Sequence, residues 1–380
     1  MKNKRVVLLR SNPVNPDPPV EKMAETLLEN GYDVTIVGWD RESEVYLKEI
    51  RATHSSGLKF KIVRFGIPAV YGGGLKKTLK PFLKFQKYLK RWLKKNKDEY
   101  DIIHAFDFDT GYVAKKAAKK YKKKLIYHIL DFYVDSHASG GKLLRRIIKK
   151  LEFSVIKTAD TTIVCTEKRL EQIKGSKPKK VAIIHNTPNQ KQDKLSELKI
   201  EKNSRLKIAY IGIFGEGRLL NELLQTVAED KDIELHIGGF GLLEEQIKKY
   251  SEENENIFYY GKLPYCDTLS LEEQCDIMTA IYDPSVPNHR FAAPNKFYEA
   301  MMLGKPLIMV KNTGFDELID DKKLGVLIDY TQEGLKEGLV SLKQNKQTGG
   351  EIGSRNRAIY EESFSWQMME ERILKIYSTL

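Results

Sequence analysis

Short apolar runs alternate with amphipathic stretches along most of the chain. The runs are rich in Val and Ile and favour buried strands, whereas the stretches between them repeat apolar residues at helical spacing. In the first half the predicted strands are Val6–Leu9, Val34–Val37, Phe60–Phe65, Ile102–Ala105, Leu125–Ile129, Thr162–Cys165 and Val181–Ile184. The predicted helices are Val20–Asn30, Leu79–Lys95, Thr110–Lys120, Leu143–Lys157 and Glu167–Lys174. This alternation predicts a parallel sheet with helices on both faces.

The apolar pattern fades from His185 to Arg205, which indicates a linker between domains. The alternation then restarts, and the later predicted strands are Ile208–Ile211, Ile233–Ile237, Ile257–Tyr260, Ile277–Ile281, Leu307–Val310 and Val326–Ile328. The helices predicted between them are Arg218–Ala228, Leu242–Tyr250 and one near Leu269–Gln274. The chain is therefore predicted to form two doubly wound α/β domains. Such sheets bind ligands at the carboxyl ends of their strands.

One stretch of the second half has the features of an anion site. From Asn288 to Pro306 the sequence reads NHRFAAPNKFYEAMMLGKP, in which Pro294 precedes a predicted helix and Gly304 ends it. A helix N-terminus beside Lys296 suits a phosphate, and Glu299 lies three residues later on the same face. A carboxylate there suits the paired hydroxyls of a ribose. The alternative is an ordinary α/β connection with a solvated Lys296–Glu299 pair.

The segment PNKFYEAMMLGKPLI resembles the donor-nucleotide motif of the family 4 glycosyltransferases (glycosyl transferases group 1), retaining enzymes of the GT-B fold. The resemblance implies two Rossmann-like domains facing a central cleft. It implies an acceptor-binding domain over 1–190 and a donor-binding domain over 205–363. The terminal helix, 364–380, is then expected to pack back on the first domain.

The resemblance also implies a set of residues that bind the nucleotide-diphosphate sugar. They are Gly215, Gly217, Arg218, Gly239, Gly241, Lys262, Leu263, Ala293, Pro294, Asn295, Lys296 and Glu299. Arg218 and Lys296 are expected to stabilise the diphosphate, in place of a metal ion or other cofactor. The chain departs from the family twice, because Phe291 stands where a first glutamate is usual and Asn221-Glu222 stand where a lysine is usual. The identity of the sugar therefore stays open.

Three strand ends of the first half carry candidate site residues, two of them for the acceptor and one for catalysis. The segment SNPVNPDPP, 11–19, offers Asn15 and Asp17, although a rigid surface turn explains the same residues. Asp131 follows a strand where many family members place a histidine, so it is the expected catalytic residue of this domain; its alternative role is a helix N-cap. His104 ends a comparable strand and is a further candidate for the acceptor.

The net charge of +12 is concentrated in the first half, and Leu75–Lys97 holds ten cations and no acid. Apolar residues interleave with lysines in the predicted helix Leu79–Lys95, which favours peripheral contact with an anionic membrane. The alternative is a lysine-coated core helix. Nucleic-acid binding is not expected, because no nucleic-acid motif accompanies the charge. Three scattered cysteines form neither a disulfide framework nor a zinc pattern and fit a reducing cytoplasm.

These features predict a glycosyltransferase that moves a sugar from a nucleotide-diphosphate sugar to an acceptor hydroxyl with retention, in polysaccharide or glycolipid synthesis. The expected acceptor is a carbohydrate or lipid-linked sugar, and the expected location is the cytoplasmic face of the cell membrane. Two alternatives stay open. One is a GT-B epimerase acting on a nucleotide-linked sugar, and the other is a non-catalytic basic protein that binds membranes or nucleic acid.

Overall fold

A computed structural model describes residues 4–14, 17–53, 59–69, 74–136, 141–189, 196–344 and 348–380. The chain divides into two compact units, one formed by Met1–His185 with Met369–Leu380 and the other by Asn186–Met368. The sequence predicted domain boundaries at 190–205 and at 363. None of the helices described is both long and apolar enough to cross a membrane.

The first unit contains an eight-stranded sheet, which has one strand more than the seven that the alternating pattern predicts. Its strands are β1 (Arg5–Leu9), β2 (Asp33–Asp40), β3 (Lys48–Thr53), β4 (Lys59–Gly66), β5 (Ile102–Phe106), β6 (Lys124–Ile129), β7 (Thr161–Val164) and β8 (Val181–Ile183). The order is β3-β4-β2-β1-β5-β6-β7-β8, and every neighbouring pair is parallel except β3 and β4. The sequence did not predict β3, because KEIRAT lacks an apolar run. Such an antiparallel edge strand is common on a parallel sheet.

The helices of the first unit are α1 (Pro18–Glu29), α2 (Gly74–Lys95), α3 (Asp107–Tyr121), α4 (Tyr133–Ser136) and α5 (Lys142–Thr158). Residues of α2, α3 and α5 share one apolar core with the sheet. Phe85, Leu89 and Leu93 of α2 are fully buried there. The membrane interpretation of α2 is therefore corrected for this part of the helix, since these side chains form core contacts. The helix predicted over Glu167–Lys174 is also wrong, because only a 3-10 turn forms at Lys168–Leu170.

The second unit contains a six-stranded parallel sheet. Its strands are β9 (Leu206–Phe214), β10 (Ile233–Gly241), β11 (Ile257–Tyr259), β12 (Ile277–Ala280), β13 (Leu307–Val310) and β14 (Gly325–Ile328), in the order β11-β10-β9-β12-β13-β14. Its helices are α6 (Leu220–Glu229), α7 (Glu244–Glu253), α8 (Tyr265–Gln274), α9 (Asn295–Leu303), α10 (Asp316–Lys322), α11 (Gln332–Gln344) and α12 (Thr348–Ile359). The two sheets confirm the predicted pair of doubly wound α/β domains.

The polar segment predicted as a linker is attached to the second unit. Ser196 donates a hydrogen bond to Asp267 at 2.7 Å, and the backbone N–H of Ile200 donates one to Gln274 at 3.1 Å. The Tyr360 hydroxyl donates to the carbonyl of Pro188 at 3.0 Å. These three hydrogen bonds, one between side chains and two between a side chain and the backbone, explain why a stretch with few apolar residues belongs to a compact unit.

The terminal helix, α13 (Trp366–Ser378), belongs to the first unit from Met369 onward. Thr26 of α1 donates a hydrogen bond to Glu370 at 3.1 Å, and the fully buried Tyr377 hydroxyl lies 2.7 Å from Nδ1 of His104. Its apolar side chains Met369 and Ile373 are also buried. The amphipathic stripe of the terminal segment is thus a core-facing surface.

Candidate active site

Glycines allow β9 and β10 to stay paired to their carboxyl ends. The ladder continues to the pairs Gly212–Gly239 and Phe214–Gly241. Gly239 and Gly241 have φ of +146° and +147°, and a Cβ on Gly239 would lie 1.8 Å from the carbonyl oxygen of Gly212. No larger residue fits there without separating the strands. The glycines predicted for this turn therefore place two polypeptide backbones side by side.

The helix α9 begins and ends as the sequence predicts. Pro294 is the N-cap residue, Asn295 is the first helical residue, and Gly304 closes the helix with φ of +64°. The first N–H groups of a helix have no intrahelical acceptor, so this end carries a partial positive charge. Asn295 is exposed, and its side-chain oxygen accepts a hydrogen bond from Asn186 at 3.1 Å.

Lys296 extends from α9 over the end of β9. Its Nζ lies 3.7 Å from the centroid of the Tyr210 ring. A Cβ on Gly212 would lie 3.2 Å from the same Nζ, so the amine sits directly above the Gly212 backbone. Lys296 forms no ion pair with any residue that the structure describes. The loop glycine and the aromatic ring thus hold a cation at the carboxyl end of the sheet.

Arg218 supplies a second cation to this edge. Its guanidinium carbon lies 3.9 Å from the centroid of the Tyr282 ring, which also contacts His289 edge to face at 5.3 Å. One guanidinium nitrogen, Nη1, is buried and has no hydrogen-bond acceptor among the described residues. Buried charged donors normally have a partner, so an unoccupied one marks a place for an anion.

The loop that carries Arg218 is joined to the loop before α9. Gly217 has φ of +76°, its carbonyl accepts a hydrogen bond from the N–H of Asp283 at 3.0 Å, and a Cβ on it would lie 3.8 Å from His289. Gly215, by contrast, has space for a Cβ and no positive φ. The structure therefore brings together Gly217, Arg218 and Lys296, while Gly215 has no steric requirement for glycine.

The electrostatic field at Lys296 favours loss of its proton in the absence of a ligand. Burial, followed by the positive charge of Arg218, lowers the pKa of Lys296 to about 7, although Glu272 and Glu299 act in the opposite direction. An anion placed between Lys296 and Arg218 would offset both causes. The arrangement is thus chemically suited to a phosphate or diphosphate group.

Glu299 lies one helical turn beyond Lys296 and is 4% exposed. Its Oε1 accepts a hydrogen bond from the hydroxyl of Tyr265 on α8 at 3.1 Å. Glu272, also on α8, is buried with Oε2 lacking a partner among the described residues. Burial and then the charge of Glu299 raise the pKa of Glu272 well above its ordinary value. Glu299 is therefore an oriented carboxylate in a partly enclosed acidic environment.

The remaining predicted donor residues lie along the neighbouring strand ends. The carbonyl of Gly261 accepts a hydrogen bond from the N–H of Gly239 at 2.7 Å, and a Cβ on Gly238 would touch Leu263. Lys262 is exposed, with its Nζ 5.2 Å from the centroid of the Phe240 ring. Leu263 and Lys262 thus border the β10 turn. Ala293 is half-buried beside the α9 N-cap.

In the first unit, Asp131 follows β6 and keeps its side chain 55% exposed while it pairs with the buried Arg169 at 3.0 Å. The backbone N–H groups of Leu130 and Asp131 both donate to Asp107, at 2.8 and 3.2 Å. Asp107 in turn accepts a hydrogen bond from Arg10. Asp131 therefore combines an accessible carboxylate with a rigid backbone position.

Asp17 and His104 occupy less accessible positions than the sequence suggested. Asp17 is 5% exposed and pairs with Arg10 at 2.8 Å, which gives the residue a structural role beside the predicted acceptor role. His104 is fully buried between Tyr377 and His128, so its prediction as an acceptor residue is corrected: it is a core residue of the first unit. Asn15 lies outside the described residues.

Sequence reasoning missed several groups that complete these sites. In the second unit they are the aromatic rings under the cations and the hydroxyl on Glu299, contributed by Tyr210, Tyr282 and Tyr265. In the first unit they are Arg10, Asp107 and Arg169. Tyr210 had one detectable signal, since it lies two residues before Gly212 at the end of a predicted strand. The others come from separate elements and have no shared motif.

The described residues offer no evident metal site. No group of three or more histidine, cysteine, aspartate or glutamate side chains there is arranged to hold a metal ion.

The architecture matches solved GT-B glycosyltransferases over essentially the whole chain. Sucrose-phosphate synthase from Thermosynechococcus elongatus superposes with a TM-score of 0.78 at 14% sequence identity, covering 99% of both chains. The Anabaena protein HepE, solved in complex with UDP-glucose, superposes with a TM-score of 0.70 at 16% identity, covering 99% of this chain and 100% of that one. The fold is therefore GT-B, the class that the two parallel sheets indicate.

Two family models match successive parts of the sequence. The model described as Glycosyltransferase Family 4 matches residues 20–189, and the model described as Glycosyl transferases group 1 matches residues 207–345. Together they span most of the chain and both sheets. The chain therefore belongs to the family 4, group 1 glycosyltransferases, which confirms the resemblance first seen in its α9 segment.

Similarity to individual curated proteins is more distant. An uncharacterised glycosyltransferase of Methanocaldococcus jannaschii is 23% identical over 291 residues, which cover 70% of each chain. A GDP-mannose-dependent mannosyltransferase of Corynebacterium glutamicum, which acts on a monoacylated phosphatidylinositol monomannoside, is 24% identical over 177 residues, or 43% of each chain.

Proposed function

We propose that this glycosyltransferase moves a hexose from a nucleotide-diphosphate sugar to an acceptor hydroxyl with retention of the anomeric configuration. The nucleotide diphosphate binds the second unit, with its phosphates between Arg218, Lys296 and the N-terminus of α9. Glu299 accepts hydrogen bonds from the ribose hydroxyls. The turns at Gly239–Gly241 and Lys262–Leu263 border the nucleobase.

The observation that carries this proposal is the unpaired state of the two cations. Nη1 of Arg218 is buried without an acceptor, and Lys296 has no ion-pair partner among the described residues. A protein interior normally pairs its cations, because an unpaired buried charge costs several kcal/mol. A diphosphate supplies the missing negative charge. Complexes of the Anabaena HepE structure with UDP and with UDP-glucose support a nucleotide sugar as the donor.

Positioning and electrostatic stabilisation then account for the chemistry. The departing diphosphate gains negative charge as the glycosidic bond breaks, and the two cations and the helix N-terminus stabilise that charge without a metal ion or cofactor. The acceptor hydroxyl attacks from the face that the diphosphate leaves, through a transition state resembling an oxocarbenium ion, and passes its proton to the departing diphosphate oxygen. Asp131, accessible at the end of β6, contacts the reacting sugar from the first unit.

The acceptor is proposed to be a carbohydrate or a lipid-linked sugar. The mannosyltransferase of Corynebacterium glutamicum, whose acceptor is a phosphatidylinositol mannoside, supports a role in glycolipid or cell-surface polysaccharide synthesis. Such an acceptor places the enzyme at the inner face of the cell membrane, held by peripheral contact of its basic first unit. No nucleic-acid partner is proposed.

The proposal is tested by donor binding followed by turnover. Thermal shift against UDP-, GDP-, ADP- and CMP-sugars identifies the base, since a ligand at about 100 times its Kd stabilises a protein by roughly 2.7 kcal/mol. Lys296→Ala and Glu299→Ala are expected to reduce that stabilisation strongly, whereas Lys249→Ala, at an exposed position of α7, is the matched control. Donor binding that is equal in all three variants would overturn the proposed site.

Incubation with the identified donor alone separates transfer from isomerisation. A transferase releases the nucleoside diphosphate only slowly without an acceptor, whereas an epimerase converts the donor to an isomeric nucleotide sugar. Isomerised donor would replace the proposed function with the epimerase alternative. With an acceptor present, NMR of the product linkage distinguishes retention from inversion.

A further inference from the structure

The first turns of α5 expose aliphatic side chains among cations. Leu143 is 72% exposed, Ile147 is 47% exposed and Leu144 is 38% exposed. Lys142, Arg146, Lys149 and Lys150 surround them and are also exposed, and no acidic residue occurs in α5 before the buried Glu152. Exposed leucines are unremarkable when scattered, but three within two turns form a patch that a folded protein normally covers.

Helix α2 repeats this combination in its first half. Leu79 is 45% exposed and Leu83 is 57% exposed, whereas Phe85 and Leu89 on the other face are fully buried. The exposed lysines Lys80 and Lys84 flank the two leucines. Thus α2 is a core helix whose outer surface, near its start, carries both apolar and cationic groups.

The topology places the two exposed sets at the same end of one helical layer. The strands β4, β5 and β6 run parallel within the sheet, and α2, α3 and α5 follow them, so each helix begins at the carboxyl edge. The three helices pack on a shared apolar core, and α3 contacts both α2 and α5. We call Leu79, Leu83, Leu143, Leu144 and Ile147, with their adjacent cations, the basic apolar edge.

We infer that the basic apolar edge docks on an anionic lipid bilayer, which assigns a specific surface to the membrane contact of the proposed function and rests on it. The aliphatic side chains enter the boundary between headgroups and acyl chains, and the negative surface potential attracts each nearby cation. A peripheral helix needs both contributions, and this edge of the layer supplies both.

Charge and chemistry favour lipid over other occupants. A nucleic acid would use the cations but would leave five aliphatic side chains against phosphates and water. A second copy of this chain would bring two cationic edges together and be repelled. An anionic bilayer is complementary to both kinds of group.

Docking at this edge also orients the enzyme. The edge lies at the carboxyl ends of the strands, where Asp131 follows β6. The guanidinium of Arg145 donates a hydrogen bond to the carbonyl of Val134 at 3.1 Å, which ties α5 to the helix α4 just after Asp131. A bilayer bound there would present the headgroup of a lipid-linked acceptor near the end of β6.

Vesicle co-sedimentation of the full chain tests the inference. The vesicles are phosphatidylcholine alone or phosphatidylcholine with about one third phosphatidylglycerol, at about 0.15 M salt, where the Debye length is about 8 Å. We expect binding to the anionic vesicles and at least a five-fold weaker partition coefficient for Leu143→Gln/Ile147→Gln. Leu79→Gln/Leu83→Gln is expected to weaken binding to a similar extent. The matched control is Val45→Gln/Val340→Gln, which alters two exposed aliphatic residues elsewhere.

The outcomes separate this inference from the proposed function. Equal vesicle binding by wild type and both leucine variants, or binding that does not depend on anionic lipid, would overturn the docking surface. Absence of vesicle binding together with a gel shift of duplex DNA would replace lipid with nucleic acid. Thermal shift with the identified donor sugar is measured on every variant: retained donor binding with lost vesicle binding leaves the donor site intact, whereas the reverse pattern implicates only the donor site.

Discussion

The amine of Lys296 lies 3.7 Å from the centroid of the Tyr210 ring, and no ion-pair partner for it exists in the described part of the chain. An aromatic face stabilises a cation with less competition for an incoming anion than a carboxylate gives. The ring therefore holds the charge in place and leaves it available. Without the donor, the unpaired charge of Lys296 lowers the stability of the folded protein. Its effect can therefore be measured in the ligand-free protein.

Replacing Lys296 with methionine is expected to stabilise the ligand-free protein. Its folded pKa of about 7 lies below the value of 10.5 expected in the unfolded chain, so the unfolded state binds more protons between these pH values. Stability of the wild type should consequently rise with pH from about 7 to 10.5. Lys296→Met should therefore unfold at a higher urea concentration than the wild type at pH 7, and this gain should shrink as the pH rises toward 10.5. Lys249→Met, at an exposed position, should show no such gain, and a destabilised Lys296→Met would contradict the burial of this charge.

Nucleotide binding is expected to take up a proton above pH 7. Free Lys296 is largely neutral at pH 8, and the phosphates of a bound diphosphate should raise its pKa and restore the charge. Calorimetric titration with UDP-glucose, whose diphosphate has no group that titrates in this range, in buffers of different ionisation enthalpy should show uptake approaching one proton at pH 8 and almost none at pH 5.5. Lys296→Arg keeps its charge throughout and should abolish the uptake at pH 8. Identical uptake in wild type and Lys296→Arg would assign the proton to another group.

The local sequence was sufficient to predict the ends of α9, but it did not predict which residues of other elements contact this helix. Pro294 and Gly304 set both ends of the helix, so Lys296 and Glu299 could be placed on one face from the sequence alone. Tyr210 reaches the site from β9 and Tyr282 from the segment just after β12, and such contacts depend on strand order and register. A sequence motif identifies residues that are close along the chain, but it does not identify residues that meet across a sheet.

His104 shows the same limit in the first unit. All five residues of β5 are buried, because a central parallel strand is covered by helices on both faces. A histidine near the end of such a strand therefore faces the core, and here it meets Tyr377 of the terminal helix. Asp131 escapes this burial because it follows β6 rather than ending it. The accessibility of such a residue depends on whether it lies before or after the last paired residue of its strand. The sequence pattern does not locate that last paired residue accurately enough to predict the accessibility.

Removing the hydroxyl of Tyr265 should weaken donor binding without unfolding the protein. This hydroxyl donates to Oε1 of Glu299 at 3.1 Å and orients the carboxylate proposed to hold the ribose. A hydrogen bond to a charged group contributes about 1.5–3 kcal/mol, so Tyr265→Phe should raise the donor Kd by about ten-fold or more. Tyr259→Phe is the matched control. The Tyr259 hydroxyl donates to Glu244 at a distance of 2.8 Å, and this pair is separate from Lys296. An unchanged Kd in Tyr265→Phe would show that Glu299 does not need this bond to bind the donor.

Two glycine substitutions should separate the scaffold of the site from its loop. A Cβ on Gly239 would lie 1.8 Å from the carbonyl oxygen of Gly212, and φ at Gly239 is +146°, so Gly239→Ala must force β9 and β10 apart. We expect it to cost about 3 kcal/mol in the free energy of unfolding and to abolish donor binding. At Gly215 the nearest atom to a new Cβ is 3.8 Å away, so Gly215→Ala should retain wild-type stability in the same denaturation experiment. Any loss of donor affinity in Gly215→Ala would then report on a direct contact with the ligand, whereas a stable Gly239→Ala would contradict the close strand pairing on which the site is built.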